Sequence, residues 1–334
     1  MAMHPRRIFL TGGTGYLGGA IVAQLLENGY RLRLLARKKP IDAASPMLET
    51  VAGGLSDVDR LAEYMQGCDA AIHSAALVAS WARDPAEFYR TNVQGLVNMI
   101  AAARKASIGT LIYTSSLFAL GPAGLPGAKE DAALIPQKIH PYQHSKVVAR
   151  QIAMRARDDG LPIVILYPGV IYGPGKKSEG NMISRLILDF VGGQVPGLLG
   201  GGKPIWSYAY IKDVARGHAL ALERCPAGGE FILGGPNVSL RVFFEVLGRL
   251  TGREIPKWKI PTGMGMILGG LEFGLARLCG RQPRMTPATV RMMCLDWACD
   301  SSLACANLGY LQTPLLEGLR ETLLALEIPE KGDG

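Results

Sequence analysis

The stretch "LTGGTGYLGG", residues 10–19, follows a short apolar run and precedes a helical pattern. Gly13, Gly15 and Gly18 fit the spacing GxGxxG, and Gly12 with the last two fits GxxGxxG. Without side chains the backbone can approach a pyrophosphate, and the N-terminus of the following helix offers N–H groups and positive potential. The strand–turn–helix setting therefore predicts a dinucleotide site, with a turn that binds nothing as the alternative. The expected contacts are Thr11, Gly12, Gly13, Thr14, Gly15, Tyr16, Leu17 and Gly18.

The end of the second predicted strand, "RLRLLAR", indicates which dinucleotide fits. Arg37 stands nineteen residues after Gly18 and is followed by Lys38 and Lys39. A site for NAD usually has an acidic residue here for the ribose 2′-hydroxyl, whereas a guanidinium attracts the 2′-phosphate of NADP. We therefore expect NADP, bound by Arg37 and Lys38. A site for NAD and a merely solvated basic cluster are the alternatives.

Short apolar runs alternate with helical patterns through the N-terminal half, which is typical of βαβ units and a parallel sheet. One predicted helix spans residues 86–106, and another begins near Tyr142. The predicted strands are "RIFLTG", "RLRLLAR", "CDAAIHSA", "GTLIYTSS", "PIVILYPG" and, later in the chain, "EFILGG".

These patterns predict an α/β fold, a Rossmann doubly wound parallel sheet with a smaller, interleaved C-terminal lobe. The nucleotide-binding core is expected to consist of residues 1–172 and 209–235. The substrate-binding lobe is expected to consist of residues 173–208 and 236–330, interleaved with the core so that the two form in effect one domain.

The composition is that of an ordinary soluble chain, since 48% of the 334 residues are hydrophobic and 19% are charged. The net charge is +8, but the basic residues are scattered and show no zinc-finger spacing or basic helix, so we expect no nucleic-acid partner. The apolar run in "RRIFLTGG" is too short for a secretory leader. The six cysteines form no CxxC pair, and no histidine lies near Cys294, Cys299 or Cys305. We expect reduced thiols, no metal and a cytoplasmic protein.

One strongly apolar segment, "MGMILGGLEFGLARLC", covers residues 264–279. It is shorter than a membrane span and contains Glu272 and Arg277. We expect a helix that is buried in the fold or in a subunit contact, with peripheral membrane contact as the alternative.

The stretch "PYQHSKVVAR", residues 141–150, places Tyr142 and Lys146 on one face of a predicted helix. Free tyrosine has a pKa of about 10, and a nearby ammonium lowers that pKa by stabilising the phenolate. Such a tyrosine can take a proton from an alcohol, or give one to a ketone, as a hydride is transferred. Upstream, Ser115 and Ser116 of "YTSS" are candidates for polarising the substrate oxygen. The glycine turn, the serine pair and YxxxK, in this order, form a specific combination.

The sequence from about residue 6 to residue 250 resembles the extended short-chain dehydrogenases/reductases. The resemblance rests on "TGGTGYLG", "HSAA", "RTNVQG", "YTSSLFALG", "PYQHSK", "YPGVIYGPG" and "WSYAYIKDVARGH". "LYPGVIYGPG", "GNMISRLI" and Arg37 look like the dihydroflavonol-reductase/3β-hydroxysteroid-dehydrogenase-like branch of the NAD-dependent epimerases and dehydratases. His73 and Ser74 replace the usual asparagine of the "NAA" motif in that family.

The resemblance implies roles for individual residues. Ser116 matches the catalytic serine, Tyr142 the acid/base, and Lys146 its partner, which also binds the nicotinamide ribose. Asn92 matches an asparagine near the active site, with a structural or proton-relay role. The further cofactor contacts that the resemblance implies are Ala75, Ala76, Ser115, Tyr167, Pro168 and Val170.

The substrate side is predicted to be aromatic and apolar, which suits a ring or acyl ketone better than a nucleotide diphosphate. We expect Trp81, Phe118, Asn181 and Arg185 to bind the substrate, although Arg185 could equally hold a sugar diphosphate or a carboxylate. For each of them, packing within the lobe is the alternative. Other residues expected near the cleft are Leu77, Val78, Ser80, Met182, Trp206 and Tyr208.

The sequence thus predicts an NADP-dependent oxidoreductase that interconverts a ketone and a secondary alcohol on a fairly apolar small-molecule substrate. The alternatives are a nucleotide-sugar epimerase or dehydratase with tightly bound NAD(P), and a non-catalytic NADP-binding regulator. Because family members often pair through their two long helices, here 86–106 and 142–158, we expect a homodimer.

Overall fold

A computed structural model describes residues 6–37, 45–133, 138–175, 181–225 and 227–328. The described strands are, in chain order, β1 (Arg7–Thr11), β2 (Arg31–Ala36), β3 (Leu48–Ala52), β4 (Ala70–His73), β5 (Leu111–Thr114), β6 (Ala123–Ala128), β7 (Ile163–Pro168), β8 (Val170–Tyr172), β9 (Leu198–Leu199), β10 (Ile205–Tyr210), β11 (Gly229–Leu233), β12 (Asn237–Ser239), β13 (Lys259–Ile260) and β14 (Trp297–Cys299). The described α-helices are α1 (Tyr16–Glu27), α2 (Val58–Met65), α3 (Ala86–Tyr89), α4 (Gly95–Lys105), α5 (Pro141–Asp158), α6 (Met182–Val191), α7 (Ile211–Arg224), α8 (Leu240–Thr251), α9 (Thr262–Leu278), α10 (Pro287–Met293), α11 (Ser302–Leu308) and α12 (Leu315–Ala325).

Seven parallel strands form the central sheet, in the order β11-β7-β5-β4-β1-β2-β3. The chain adds strands to one side of β1 and then crosses to its other side at β4. The carboxyl ends of β1 and β4 therefore border the crevice where open α/β sheets bind ligands. The predicted Rossmann fold is confirmed.

Apolar side chains cover both faces of this sheet, which explains why its inner strands are continuous apolar runs. Alternate residues of each strand join different cores, because successive side chains point to opposite faces. In β1, Phe9 packs with the core that includes α2, α4 and α5, whereas Ile8 and Leu10 pack with α1 and α7. Helices on both faces thus hold the carboxyl edge of the sheet in a fixed shape.

A second sheet, in the order β12-β10-β14-β6 with β8 also paired to β10, belongs largely to the lobe. Here β6, from the first half of the chain, pairs with β14 near its end. Ala304 and Leu308 of α11 pack in the core between α7 and the large sheet. The proposed division between 1–172 with 209–235 and 173–208 with 236–330 stays a prediction, while the pairing shows how closely the chain segments interleave.

The helix predicted over 86–106 is interrupted. It consists of α3, a π-helical segment at Arg90–Gln94, and α4. A π turn holds one residue more than an α turn, and such segments often occur at functional sites. Asn92 lies within this segment and is fully buried.

Segment 264–279 was predicted as a helix buried in the fold or in a subunit contact; burial in the fold is wrong, and the subunit contact stays a prediction. The segment is helical, as α9, but only Gly265, Gly269 and Ala276 of α9 are buried. Its large apolar side chains face outward, because these small residues bring the opposite side of α9 against the protein. Within the described residues no helix combines the length and apolarity needed to cross a bilayer.

Candidate active site

The glycine turn between β1 and α1 is shaped by close backbone contacts. Gly12 has a φ of +82°, and a Cβ there would lie 2.5 Å from the backbone nitrogen of Ala75. A Cβ on Gly18 would lie 2.6 Å from the carbonyl carbon of Gly12. A Cβ on Gly15, in contrast, would meet only the Gly12 carbonyl oxygen, at 3.1 Å. Gly12 and Gly18 are thus needed by the fold itself, whereas the space above Gly15 stays open.

The N-terminus of α1 is available to an anion. Gly15 is the N-cap, no described side chain caps it, and the first turn has no acidic residue. Its unpaired N–H groups and the helix dipole therefore favour a phosphate group at this point. Together with the open space above Gly15, this geometry fits the pyrophosphate of a dinucleotide.

The buried pair Thr11 and His73 lies where β1 and β4 end. The Thr11 Oγ1 is 2.8 Å from the His73 Nδ1. Burial, assisted by the nearby charge of Lys146, lowers the pKa of His73 to about 3. The imidazole is therefore neutral at physiological pH, and its Nε2 has no hydrogen-bond partner among the described residues.

Tyr142 is held in place at the start of α5. Pro141 occupies the first turn of the helix, and the Nδ1 of the N-cap His140 accepts a hydrogen bond of 3.1 Å from the Tyr142 backbone N–H. The tyrosine ring contacts Phe88 and Phe118, with ring centroids 6.2 Å and 6.1 Å away. The ring therefore has one orientation, set by the helix and by two aromatic neighbours.

Burial raises the pKa of Tyr142 to about 12, and only a hydrogen bond with Ser116 opposes this rise. The lowering of this pKa by Lys146 that the sequence predicts is absent from the described structure. The Lys146 Nζ instead donates to the Thr114 carbonyl oxygen at 3.1 Å and lies 5.4 Å from the centroid of the Tyr113 ring. Burial also lowers the pKa of Lys146, to about 7. The site therefore holds a neutral phenol beside an amine that gives up its proton easily.

Ser116 stands at the end of β5 as the N-cap of a short 3₁₀ segment, Leu117–Ala119. Its Oγ accepts a weak hydrogen bond of 3.3 Å from the Phe118 backbone N–H. The same side chain opposes the rise in the pKa of Tyr142, which indicates that the two hydroxyl groups lie near each other. Ser115 is buried beside it, and its backbone N–H donates to the Leu166 carbonyl oxygen at 2.7 Å.

Asn92 links two parts of the site. Its Oδ1 accepts from the Leu77 backbone N–H at 2.7 Å, and its Nδ2 donates to the Ser145 Oγ at 3.0 Å. Ser145 in turn donates to the Tyr142 carbonyl oxygen at 2.7 Å. These are the contacts of a residue that positions the loop after β4 against the first turn of α5.

Comparison with known proteins identifies the chain. Residues 8–234 match the sequence profile of the NAD dependent epimerase/dehydratase family. The chain belongs to this family. A protein from Synechocystis sp., provisionally named dihydroflavonol 4-reductase, is 33% identical to it over 94% of this chain and 93% of its own length.

Two further proteins of similar size resemble this member of the epimerase/dehydratase family. A Stigmatella aurantiaca protein named 4-hydroxy-2-methyl-3-oxo-4-farnesyl-3,4-dihydroquinoline-1-oxide ketoreductase is 31% identical and covers 76% of each chain. The crystal structure of gox2253 has a TM-score of 0.81 and 31% identity, and it covers 96% of this chain and 97% of its own. The family predicted from the sequence motifs is confirmed, and with it the class of NAD(P)-dependent oxidoreductases and epimerases.

The remaining residues with predicted cofactor contacts lie along the carboxyl edge of the family's sheet. Ala75 and Ala76 follow β4, and Arg37 is exposed where β2 ends. Pro168 ends β7, and Val170 begins β8. Lys38 and its neighbour Lys39 lie outside the described residues.

Tyr167 also ends β7, but its side chain points away from this edge. The hydroxyl accepts a hydrogen bond of 3.0 Å from the Arg150 Nε and donates to Glu230. The ring lies in the core beneath α5, together with Ala149 and Ala153. Only the backbone of Tyr167 is therefore free to meet a cofactor.

The predicted substrate residues separate into two groups. Phe118 and Trp206 form an aromatic cluster with Tyr142, and the ring centroids of Phe118 and Trp206 are 6.3 Å apart. Trp81, in the loop after β4, is partly exposed. This aromatic group gives the space beside the phenol an apolar lining.

The second group of predicted substrate residues consists of residues of the lobe outside the aromatic cluster. The Asn181 Oδ1 caps α6 by accepting from the Ser184 N–H at 2.9 Å, and Asn181 is 5% exposed. Tyr208 is stacked on Phe243, at 4.5 Å between ring centroids. Arg185 is exposed on α6. The side chains of Asn181 and Tyr208 are thus already engaged within the protein.

Three residues that contribute to the site were not predicted from the sequence: Trp297, His140 and Thr289. Trp297 packs edge-on to Phe118, at 4.7 Å between centroids. The Ser80 carbonyl oxygen is 2.9 Å from the His140 Nε2 and accepts a hydrogen bond of 3.2 Å from the Thr289 Oγ1. The position of His140 directly before "PY" was a signal for a helix cap, but nothing in the sequence links Trp297 or Thr289 to the site.

Proposed function

We propose that this chain is an NADP-dependent reductase that interconverts a ketone and a secondary alcohol on a fairly apolar substrate. The observation that carries this proposal is the state of Tyr142. It is a buried phenol whose pKa is raised to about 12 by burial, Ser116 opposes part of that rise, and aromatic rings contact it on two sides. A phenol that keeps its proton at neutral pH is suited to protonate a carbonyl oxygen.

A nicotinamide dinucleotide, when bound, supplies or accepts the hydride. The glycine turn and the N-terminus of α1 would hold its pyrophosphate. Arg37, exposed at the end of β2, supports the choice of NADP, because its guanidinium would attract a 2′-phosphate. Lys146 would bind the nicotinamide ribose, as the family resemblance implies.

The protein's own residues handle the proton in the proposed reaction. The Ser116 hydroxyl and the Tyr142 hydroxyl both donate to the carbonyl oxygen of the substrate. The tyrosine then transfers its proton to that oxygen as the carbon is reduced. The resulting phenolate would be stabilised by Lys146 in its ammonium form, and the phenol then regains a proton from solvent. Asn92 and His140 hold the first turn of α5 and the loop after β4 in a fixed position relative to each other during this step.

The proposed substrate class follows from the lining of the cleft. Phe118, Trp206 and Trp297 offer aromatic surface beside Tyr142, and the indole N–H groups of both tryptophans are bonded to backbone carbonyls. Such a lining favours a ring ketone or an acyl ketone over a charged diphosphate. That one relative is named as the ketoreductase of a farnesylated quinoline oxide agrees with this class.

Nucleotide-sugar epimerisation or dehydration is the second candidate, because the family includes both activities. Arg185, exposed on α6, is the residue that would favour it by pairing with a diphosphate. A non-catalytic NADP-binding regulator is the third. It is disfavoured because Ser116, Tyr142 and Lys146 are all present and buried together.

Two further expectations stay part of this proposal. The six cysteines are free thiols, which supports a cytoplasmic location. A homodimer would use the outer faces of α4 and α5, where Val97, Val148 and Ile152 are partly exposed apolar residues. Sedimentation of the purified protein tests the dimer directly.

The experiment uses purified protein with NADPH or NADH and a panel of ring and acyl ketones, with nicotinamide absorbance as the readout. We expect turnover with NADPH and a higher KM for NADH. Tyr142→Phe should lose at least about a hundredfold in kcat, within the range of general acid catalysis, and should bind NADPH as before. Unchanged turnover by this variant would show that the acid is wrongly assigned. Stabilisation by UDP- or dTDP-sugars, with interconversion of the sugar and no net oxidation of NADPH, would favour the second candidate.

A further inference from the structure

The most unusual surface of the molecule is one side of α9. Six large apolar residues of this helix are 48% to 86% exposed. We call them the α9 stripe: Met264, Ile267, Leu268, Leu271, Leu275 and Leu278. At 100° per residue they cover about a third of the helix circumference and run its whole length of about 25 Å. Together they expose on the order of several hundred Å² of apolar surface, as much as the largest patch on a typical monomer.

The opposite side of α9 fixes the orientation of the stripe. A Cβ on Gly265 would lie 2.9 Å from a Leu199 methyl and 3.0 Å from a Val290 methyl. Gly269 is equally close to the backbone of Thr286 in front of α10. Because these glycines let α9 lie directly on β9 and α10, the helix cannot rotate to bury its large side chains. The stripe therefore faces outward as a consequence of packing.

The stripe has basic surroundings. Residues 253–284 contain six Lys or Arg residues and two Glu, so about a tenth of the chain carries half of its net charge of +8. Lys257 and Lys259 precede the helix, and Arg281 and Arg284 follow it; all four side chains are exposed. Trp258, between the two lysines, is 78% exposed. Basic residues at both ends of an exposed apolar helix, with a tryptophan beside them, are typical of helices that lie in a membrane interface.

Two occupants of this surface are in question, an anionic lipid surface and a second copy of this chain. Met264, Leu268, Leu271, Leu275 and Leu278 have the alternating four- and three-residue spacing of a coiled-coil seam, which a second copy could use. A second copy, however, would bring two segments of net charge +4 together. An anionic lipid surface complements that charge and accepts the apolar side chains at once. Charge therefore favours lipid.

We propose that the α9 stripe docks the protein on an anionic membrane surface, with Trp258 and the flanking basic residues at the level of the lipid headgroups. This docking does not depend on the reaction catalysed. α9 would then lie between the membrane and α10, and Thr289 of α10 holds the Ser80 carbonyl oxygen in the loop beside Tyr142.

The test is flotation of the full-length protein with vesicles of phosphatidylglycerol and phosphatidylcholine, compared with vesicles of phosphatidylcholine alone. The wild type should float with the anionic vesicles, and less so in about 1 M salt, where the Debye length falls to about 3 Å. Replacing Ile267, Leu271 and Leu275 by Ser should lower the partition coefficient about a hundredfold, because three apolar side chains no longer enter the lipid. Lys259→Glu with Arg284→Glu should lower it by at least about tenfold.

A matched control replaces three exposed leucines elsewhere, Leu311, Leu316 and Leu324, by Ser. Its binding to vesicles should equal that of the wild type, and the Tm of all variants should show that each is folded. Failure of the wild type to float, or equal flotation of the Ile267/Leu271/Leu275 variant, overturns the proposal. If that variant instead turns a dimer into a monomer without a change in flotation, a second copy covers the stripe and the proposal is wrong.

Discussion

Alanine substitutions at three neighbouring glycines can distinguish two effects of an added methyl group. One is a loss of folding stability, and the other is a loss of dinucleotide affinity. In Gly18→Ala the new Cβ would lie 2.6 Å from the Gly12 carbonyl carbon and 2.8 Å from the Gly13 Cα. The Gly12 carbonyl oxygen is closer still, and all these atoms are backbone, so the turn must move by about 1 Å or more, and overpacking of this kind costs about 1–3 kcal/mol of stability. We expect a lower Tm and, because the turn is displaced, dinucleotide affinity reduced about 10- to 100-fold.

Gly15→Ala places its methyl group elsewhere. Among its surroundings only the Gly12 carbonyl oxygen comes close, at 3.1 Å, so the turn needs to adjust by only a few tenths of an ångström. The methyl group would instead occupy the open space above the N-terminus of α1. We expect a Tm within about 2 °C of the wild type, since a change below 0.5 kcal/mol shifts the Tm of a chain of this size little. The Kd for NADPH should rise at least about tenfold.

Gly19→Ala is the matched control, one residue further along α1. Its Cβ would lie 3.8 Å from the nearest atom, the Gly13 carbonyl oxygen. Alanine is favoured over glycine in a helix by about 1 kcal/mol, so this variant should be slightly more stable and bind NADPH normally. Thermal unfolding and calorimetric titration with NADPH measure both quantities on all three proteins. Normal binding by Gly15→Ala, or loss of binding by Gly19→Ala, would show that the pyrophosphate does not approach the turn as argued.

Three further predictions concern the surroundings of the site. His140→Asn should keep the helix cap, and hence the Tm, but lower kcat severalfold because the hydrogen bond of the ring to the Ser80 carbonyl is lost; a kcat equal to that of the wild type would remove His140 from the positioning residues. Arg150→Met should cost about 3 kcal/mol in chemical unfolding, because it removes the hydrogen bonds to the Ala132 and Glu130 carbonyl oxygens and to the Tyr167 hydroxyl, whereas the exposed Arg155→Met should cost under about 0.5 kcal/mol. Burial lowers the pKa of His73 to about 3 and that of His218 to about 4, so both stay neutral in the folded protein while the unfolded chain takes up protons below its pKa of about 6.5. The stability that these two histidines contribute should therefore be complete above about pH 6.5 and fall by a few kcal/mol toward pH 4, and His218→Gln should flatten that part of the pH profile; an unchanged slope would mean that His218 is not the group responsible.

Much of the fold could be predicted because local chemistry decides it. In the glycine turn, a side chain on Gly18 would meet residues only a few positions away, and one on Gly12 would meet the residues that follow the neighbouring strand. The spacing of these glycines can therefore be recognised in the sequence. Buried parallel strands read as apolar runs because both faces are covered. The helix at 86–106 was predicted as continuous, since a π segment adds a single residue and leaves the apolar pattern nearly unchanged.

The parts that could not be predicted depend on contacts distant in sequence. Trp297 meets Phe118 because β14 pairs with β10 and β6, and nothing local specifies this pairing. α9 was predicted to be buried in the fold or in a subunit contact because its composition is strongly apolar. The glycines that contact Leu199 and Val290 show which side of α9 faces the protein. The spacing of residues in the sequence does not reveal which glycines of a helix make such contacts.

The electrostatics of the catalytic pair have a consequence that spacing alone did not suggest. Four residues of separation on one helix predicted a tyrosine made acidic by a lysine, but burial acts on both groups and disfavours both charges. Tyr142 alone keeps its proton, and Lys146 alone tends to lose its own. A phenolate and an ammonium are therefore costly separately and stabilise each other only when both are present. Under the proposed function, the free energy of that pair would become available only after the phenol has given up its proton, which favours a tyrosine that delivers a proton to a substrate oxygen over one that rests as a phenolate.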